Sequence, residues 1–340
     1  HLFTLVGVRR DEFNMKSTVG APRPQANTWI VDEIPGGFSN PQYVNYRFTG
    51  SNYGGVVRIN DMLAFSFNQA KSFRLSLGDG GNGYLLNTKQ GIPYGEGQDI
   101  GMRLSLFDER LEFNTTYYEN YQPNGRITPL TNAQQNVRDE LSAIFPTTFD
   151  PSGTDLQKLT TSGVEIEMVA NMTKSWRIML NLATNEMVTE DRLVQLKDFQ
   201  AQAKALNRPT PLLDALLATF PEGVPTAGYT KTRMNIFTRY DFKQGTLKGF
   251  YVGGGANWRG QTFRGNADLN QDGIAEELWS PSYALVSLLA GYQTKILNRP
   301  TTFSVNVNNL LDKDYYRSAA TGSGSWGDPR SFRFTMTTEF

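Results

Sequence analysis

Cysteine is absent from the 340 residues, and histidine occurs once, as His1. Without thiols there are no disulfides, thiolate metal sites or cysteine nucleophiles. With its one imidazole at the first position, the chain offers no Ser/His/Asp triad and no histidine-based metal centre. An excess of one charge is missing too. The 33 Lys and Arg balance 33 Asp and Glu for a formal net charge of zero, and no like-charge block is long enough to line a nucleic-acid groove. Nucleic acid is not an expected partner. The longest nearly uncharged apolar stretch, Tyr283 to Tyr292, is about half of what a helix needs to cross a hydrocarbon core. No transmembrane helix is expected. The N-terminal stretch from His1 to Arg10 lacks the basic start, long apolar middle and small-residue cleavage site of a signal peptide. It reads as a strand already under way, with the expectation that the sequence begins inside a larger protein.

What is present is alternation. In Val164-Glu165-Ile166-Glu167-Met168-Val169-Ala170 every even position is apolar and two odd positions carry carboxylates. Trp176, Ile178, Leu180 and Leu182 then oppose Arg177 and Asn181. Period two is the strand signature, one greasy face and one charged. It recurs with Ile100, Met102, Leu104 and Leu106 against Arg103 and Ser105, with Leu111, Phe113 and Tyr117 against Glu112 and Asn114, and with Met234, Ile236, Tyr240 and Phe242 against Arg233, Asn235 and Arg239. Near the end, Phe332, Phe334, Met336 and Phe340 oppose Arg333, Thr335 and Glu339. The pattern predicts an all-β chain of about twelve strands.

The connections alternate in length. Short turns fall at Asn60-Asp61, Phe107-Asp108-Glu109, Thr173-Lys174, Lys243-Gln244-Gly245 and Leu297-Asn298-Arg299. Long stretches lie between them, at roughly 15 to 52, 73 to 94, 123 to 160, 189 to 229, 261 to 280 and 312 to 329. Short turns on one side and long loops on the other describe an outer-membrane barrel, with the short side periplasmic. In that orientation Trp176, Tyr240, Phe242, Tyr292 and Phe340 form one aromatic girdle, and Tyr117, Trp258 and Phe332 the other. Backbone in lipid must be fully paired, so such a sheet survives only as a closed cylinder. Its inward face would carry Arg58, Arg103, Arg177, Arg233, Arg239 and Arg259 alongside Glu112, Glu165 and Glu167.

The run Asn306-Val307-Asn308-Asn309-Leu310-Leu311-Asp312-Lys313-Asp314-Tyr315-Tyr316 resembles the penultimate-strand motif of TonB-dependent outer-membrane receptors. Trp326-Gly327-Asp328-Pro329-Arg330, then Ser331-Phe332-Arg333-Phe334 and a terminal Phe340, looks like that family's last strand. Gly95-Glu96-Gly97, Ser162-Gly163-Val164-Glu165-Ile166-Glu167 and Gly253-Gly254-Gly255-Ala256-Asn257-Trp258 fall in the family's order and spacing. The resemblance implies a transmembrane antiparallel up-and-down β-barrel, with residues 1–340 as the C-terminal part of one 22-stranded barrel domain whose plug and N-terminal strands are not in this sequence. It also implies TonB-coupled uptake of a scarce, bulky nutrient such as a siderophore-like iron chelate, cobalamin or an oligosaccharide. Implied partners are outer-membrane lipid, the cargo, the TonB complex through the plug, and the barrel-assembly machinery through the C-terminal strand.

Candidate sites sit in the long loops. Asp268, Asn270, Asp272 and Glu276 space oxygen ligands as in a calcium loop, with Gly273 at the sharp turn, although Trp279 stands where a bidentate Glu belongs. A structural calcium that stiffens the loop is set against a plain solvated acidic loop. Tyr53, Tyr94, Tyr118 and Tyr121 are candidates to stack on a cargo ring or sugar, while Tyr315, Tyr316 and Trp326 read as structural members of the terminal motif. Residues from about Glu190 to Leu206 predict a helix, with Leu193, Leu196, Phe199, Ala203 and Leu206 recurring and Pro209 and Pro211 ending it. Its expected role is packing against neighbouring loops. No enzymatic activity and no catalytic cofactor are expected. Glu165 and Glu167 share a strand face, and a carboxylate pair can hydrolyse glycosides, but opposite arginines they read as salt-bridge partners. Gly253-Gly254-Gly255 lies in a strand without a following helix, so it lets the wall bend and is no phosphate loop. Two rival readings remain, a complete twelve-stranded passive porin and a soluble extracellular carbohydrate-binding β-protein.

Overall fold

The computed structural model describes residues 1–20, 38–73, 94–151, 153–267, 269, 276–320 and 323–339. Twelve strands make one antiparallel sheet in which each pairs with its neighbours in the chain. They are β1 (Leu2–Gly20), β2 (Phe38–Arg58), β3 (Leu63–Phe73), β4 (Tyr94–Leu106), β5 (Leu111–Ile127), β6 (Asp155–Asn171), β7 (Trp176–Glu190), β8 (Thr232–Asp241), β9 (Phe250–Arg259), β12 (Tyr283–Ile296), β13 (Arg299–Asn308) and β16 (Ser331–Thr338). Two hairpins stand in the long connections, β10 (Thr262–Ala267) with β11 (Glu276–Ser280) and β14 (Tyr316–Ala320) with β15 (Ser323–Trp326). Helices α1 (Gln135–Ile144), α2 (Val194–Ala205) and α3 (Pro211–Ala218) stand in two others.

Register shows why the alternation matters. Residues directly opposite across antiparallel strands point to the same face. Phe113, Met168, Leu180, Ile236, Ala256 and Val286 are opposed in series across six strands. One residue along, Arg103, Asn114, Glu167, Asn181, Asn235 and Asn257 form the next series. One face of the sheet is therefore apolar and the other mainly polar, with Met179, Phe237, Leu285 and Leu289 as apolar members of the second, and a slip of one residue at any pair would reverse that strand.

The apolar face has no core behind it. Among the buried apolar residues only Ala170 and Tyr251 belong to the twelve strands, whereas Ile100, Ile236, Leu288, Phe332 and Phe334 are exposed. A water-soluble protein does not leave so large an apolar surface uncovered. Trp176 opposes Tyr240, which meets Phe242 edge-on at 5.0 Å, and Phe250 stacks on Tyr292 at 4.4 Å, so the girdle beside the short turns is in place. Phe340 lies outside the described residues.

Two expectations change. The connection expected at 15 to 52 is largely strand, because β1 and β2 stay paired as far as Gly20 and Phe38. Alternation fades there because a strand needs only about 9–11 residues to cross the bilayer, and no apolar medium selects one face beyond that length. Two long connections contain hairpins and two contain helices. Among the described residues Glu165 and Glu167 also make no ion pair: their neighbours across the strands are Thr116 and Ala183, and Asn114 and Asn181. Arg103 instead pairs with Glu112 at 3.0 Å.

Candidate functional site

The upper inner wall carries a polar groove. On the polar face Asn68, Asp99, Tyr118, Gly163 and Asn185 are opposed in series across β3 to β7, well above the short turns. Ser72, Asn120, Gln122 and Thr161 line the groove above them. Two glycines shape it. A Cβ on Gly163 would lie 2.7 Å from the Tyr118 hydroxyl and 2.1 Å from the Thr184 carbonyl, and one on Gly97 would lie 2.5 Å from Asn120 Oδ1. Gly163 lets the Tyr118 ring cross its own neighbour strand, and the hydroxyl then donates to Asn185 Oδ1 on β7 at 3.0 Å. Asn68 Nδ2 reaches Asp99 Oδ2 at 3.5 Å. The result is a concave surface of amides and hydroxyls that offers both donors and acceptors.

Of the tyrosines expected to meet cargo, Tyr118 stands in the inward-facing series and Tyr121 borders the groove, whereas Tyr53 and Tyr94 do neither. Tyr118 faces inward. Tyr53, opposite Val6 and Gln69, and Tyr94 and Tyr121, in step with Ile100 and Tyr117, lie on the outer face. Lys71 sits 4.4 Å from the Tyr94 ring and Lys158 5.5 Å from the Tyr121 ring, where each cation meets a π face. Parity counted from Tyr117, already assigned to the apolar side, was the signal that separates Tyr118 from Tyr121.

Above the groove stands a small helical roof built from the connections β5–β6 and β7–β8. Leu130, Val137, Leu141, Phe145 and Phe149 from the first connection interlock with Leu193, Leu196, Phe199, Ala203, Leu213 and Leu216 from the second, all of them buried. Phe199 is central, 5.0 Å from Phe145 and edge-on to Phe149 at 5.4 Å. The expected helix is present, but β7 runs to Glu190 and α2 starts at Val194, while Leu206 is 61% exposed. Pro211 opens α3 at its first turn, a position where its missing N–H costs nothing. Helix α1 was not anticipated, although Thr131 and Gln134 form a capping box before it and Val137 and Leu141 repeat on one face.

The roof helices take their N-terminal caps from elsewhere. Asp155 Oδ1 accepts from the Gln195 backbone N–H at 2.8 Å, and Oδ2 from that of Leu196 at 2.9 Å. Glu140 on α1 accepts from the N–H groups of Leu212 and Leu213, at 3.1 and 2.9 Å. Both carboxylates satisfy donors that a helix start leaves open and meet the positive end of its dipole. Asp155 begins β6, sixteen residues from Asn171 and so above the span a bilayer needs. Burial raises its pKa above the ordinary value, against the lowering effect of three backbone N–H groups and of Lys197. Arg192 shifts downward, again through burial, and donates to the Pro221 carbonyl at 3.2 Å.

The terminal motif builds a braced turn. Asn309, held at φ 46°, donates to the Lys313 and Asp328 carbonyls and accepts from the Lys313 N–H. Tyr315 lies over Gly327 and stacks on Tyr283 at 4.6 Å, while Arg317 pairs with Asp328 at 2.6 Å. Of the expected calcium ligands, Asp268, Asn270 and Asp272 lie outside the described residues. Glu276 Oε2 accepts from the Leu269 N–H at 3.0 Å. No metal-sized cluster of acidic or histidine side chains occurs among the described residues.

The family described as TonB dependent receptor-like, beta-barrel, matches residues 1–310. The chain belongs to this family of outer-membrane receptors. It is 25% identical over 318 residues to the ferripyoverdine receptor of Pseudomonas aeruginosa, which covers 89% of this chain and 33% of that protein. It is 36% identical over 97 residues to the probable TonB-dependent receptor BfrD of Bordetella pertussis, 28% of this chain and 12% of that one. Among solved structures, the siderophore receptor PiuA of Acinetobacter baumannii superposes with TM-score 0.65 at 16% identity, over 98% of this chain and 40% of that one. The ferripyoverdine-bound receptor of P. aeruginosa gives 0.63 at 21% identity, over 88% and 34%. These likenesses establish the fold, an outer-membrane β-barrel. The chain spans about one third of the first curated relative.

Proposed function

We propose that this chain forms the C-terminal wall of a TonB-coupled receptor that imports a scarce, bulky nutrient, with a ferric siderophore as the leading cargo. One observation carries the reading. The sheet has one apolar and one polar face, and among the described residues its outer strands pair on one side only, β1 with β2 and β16 with β13. In lipid such edges must be met by further strands, which makes residues 1–340 one part of a larger barrel and disfavours a closed twelve-stranded porin.

In this reading the apolar face contacts lipid, and the plug and TonB lie outside this chain. The last strand serves barrel assembly, and the wall itself is not catalytic. Tyr118 is the tyrosine that meets cargo, beside amides and hydroxyls suited to a ligand rich in peptide or hydroxyl groups. A structural calcium at Asp268, Asn270, Asp272 and Glu276 remains part of the proposal; unchanged protease sensitivity of that loop in EGTA would remove it.

The test uses the full-length receptor. Saturable binding of ferripyoverdine or another ferric siderophore, with uptake that stops when the inner-membrane energy source is removed, is the expected result. Steady ohmic conductance across a planar bilayer without cargo binding would support the porin instead. Purification in soluble form without detergent would support the carbohydrate-binding alternative.

A further inference from the structure

The five short turns share a feature that transport does not use. Each exposes large apolar side chains: Ile59 and Met62 between β2 and β3, Phe107 between β4 and β5, Met172 between β6 and β7, Leu247 between β8 and β9, and Leu297 between β12 and β13. Exposure runs from 47% at Met172 to 90% at Leu297. The backbone adds a cost at two of them. Phe107 and Leu297 sit at φ 57° and 50°, in the left-handed region where a bulky side chain is rare and tight hairpins favour Asn or Gly. In bulk water nothing offsets a strained, uncovered leucine.

Charge separates the turns into two groups. Around the first two lie Asp61, Asp108 and Glu109, with Arg110 as the one cation of the second turn, its guanidinium taken up by the Asn171 and Met172 carbonyls. Around Met172, Leu247 and Leu297 lie Lys174, Lys243, Lys248 and Lys295, all exposed. Two carboxylates lie close to these three turns: Asp241, held by Arg239 at 2.7 Å, and Glu339, whose backbone N–H donates to the Pro300 carbonyl beside Leu297. The apolar residues are also continuous with the apolar wall, since Met172 keeps the parity of Met168 and Ala170, and Leu297 follows the exposed Ile296.

We propose that the arc of turns from β6 to β13 seats on anionic phospholipid headgroups at the periplasmic surface of the bilayer. Met172, Leu247 and Leu297 enter the acyl boundary, and Lys174, Lys243 and Lys248 meet the phosphates. Apolar side chains flanked by lysine have the chemistry of an interfacial anchor, and basic groups near a membrane favour anionic lipid. The inference rests on the reading that the apolar face meets lipid with the short turns periplasmic.

The test again uses the full-length receptor, reconstituted in vesicles of phosphatidylcholine and phosphatidylglycerol. A nitroxide is placed through Leu297→Cys, and through Leu180→Cys in a second variant. The expected result is that both labels collide more with oxygen than with a water-soluble nickel chelate. A lipid-like label at 180 with a water-like label at 297 overturns this inference alone, while a water-like label at 180 overturns the lipid-facing wall itself. Joint replacement Lys174→Gln, Lys243→Gln and Lys248→Gln is expected to lower retention of phosphatidylglycerol over phosphatidylcholine by roughly tenfold, read by native mass spectrometry. Unchanged retention in a normally folded barrel overturns the headgroup assignment.

Discussion

The wall and the roof of this receptor are built for different solvents. In the wall, Ile100, Ile236, Phe332 and Phe334 point outward and stay exposed, and the polar residues turn in. In the roof, Leu141, Leu193, Leu196, Phe199 and Leu213 are fully buried in a shared core, although Val194, Leu206 and Leu212 stay exposed on its surface. The same chain thus reverses its polarity where β5, β6 and β7 rise above the span of the bilayer. Wall stability depends on closure and lipid, and roof stability on a core. Mutations in the two regions should therefore fail in different assays.

The largest effect is expected at Phe199. Phe199→Ala empties the centre of the roof and is expected to cost about 3–5 kcal/mol, with faster hydrogen exchange across 128–154 and 191–229. The folded barrel should still migrate ahead of its heat-denatured form in an electrophoretic shift. Loss of that shift would show that the roof is needed for the wall, and the contrast would collapse. A charge in the wall is next. Leu180→Arg puts a cation on the apolar face of β7 and is expected to cost about 2–4 kcal/mol near mid-depth. Here the electrophoretic shift should be reduced, and a variant that folds as the parent does would place Leu180 away from lipid.

The contrast was only half legible in the sequence. The wall was legible because lipid on one side and polar surroundings on the other select residues in strict alternation, and parity from Leu180 or Ile236 predicts the faces the register displays. The roof was less so. The repeat in Leu193, Leu196, Phe199 and Ala203 revealed α2, but α3 has only eight residues and its opening Pro211 reads equally well as a stop. The caps were hidden because Asp155 precedes the N–H groups it holds by forty residues, a relation that only the packed roof creates. Tyr118 lay between these cases, since its face was readable from Tyr117 while its reach across Gly163 to Asn185 needed coordinates.

Asp155 joins the two regions, since it begins a wall strand and caps a roof helix. Asp155→Asn keeps one acceptor oxygen and leaves another N–H of the α2 start unmet, for an expected cost of about 1–3 kcal/mol seen as exchange at the amides of Gln195 and Leu196. The pH dependence has a definite sign. Because burial raises the folded pKa above the ordinary 3.8, this group favours the folded roof fully below that ordinary range, and its contribution is lost as pH rises through the elevated value. Asp155→Asn should remove that component of the pH dependence of roof stability. Persistence of the same component in the variant would assign it to another carboxylate.

The smallest effect is expected at Tyr118, where the wall meets the groove. Tyr118→Phe keeps the ring over Gly163 and removes the hydroxyl that donates to Asn185 Oδ1. A single hydrogen bond of this kind contributes about 0.5–1.5 kcal/mol, too little to change barrel assembly. If the ring also contacts cargo, Tyr118→Phe should leave siderophore affinity within a few-fold, whereas Tyr118→Ala, which removes the stacking surface, should weaken it about tenfold. Tyr53→Ala on the outer face of β2 supplies the contrast, with no expected change in affinity. Equal losses from Tyr118→Ala and Tyr53→Ala would mean that both act through the shape of the wall, and the assignment of cargo to the inner face would lose its support.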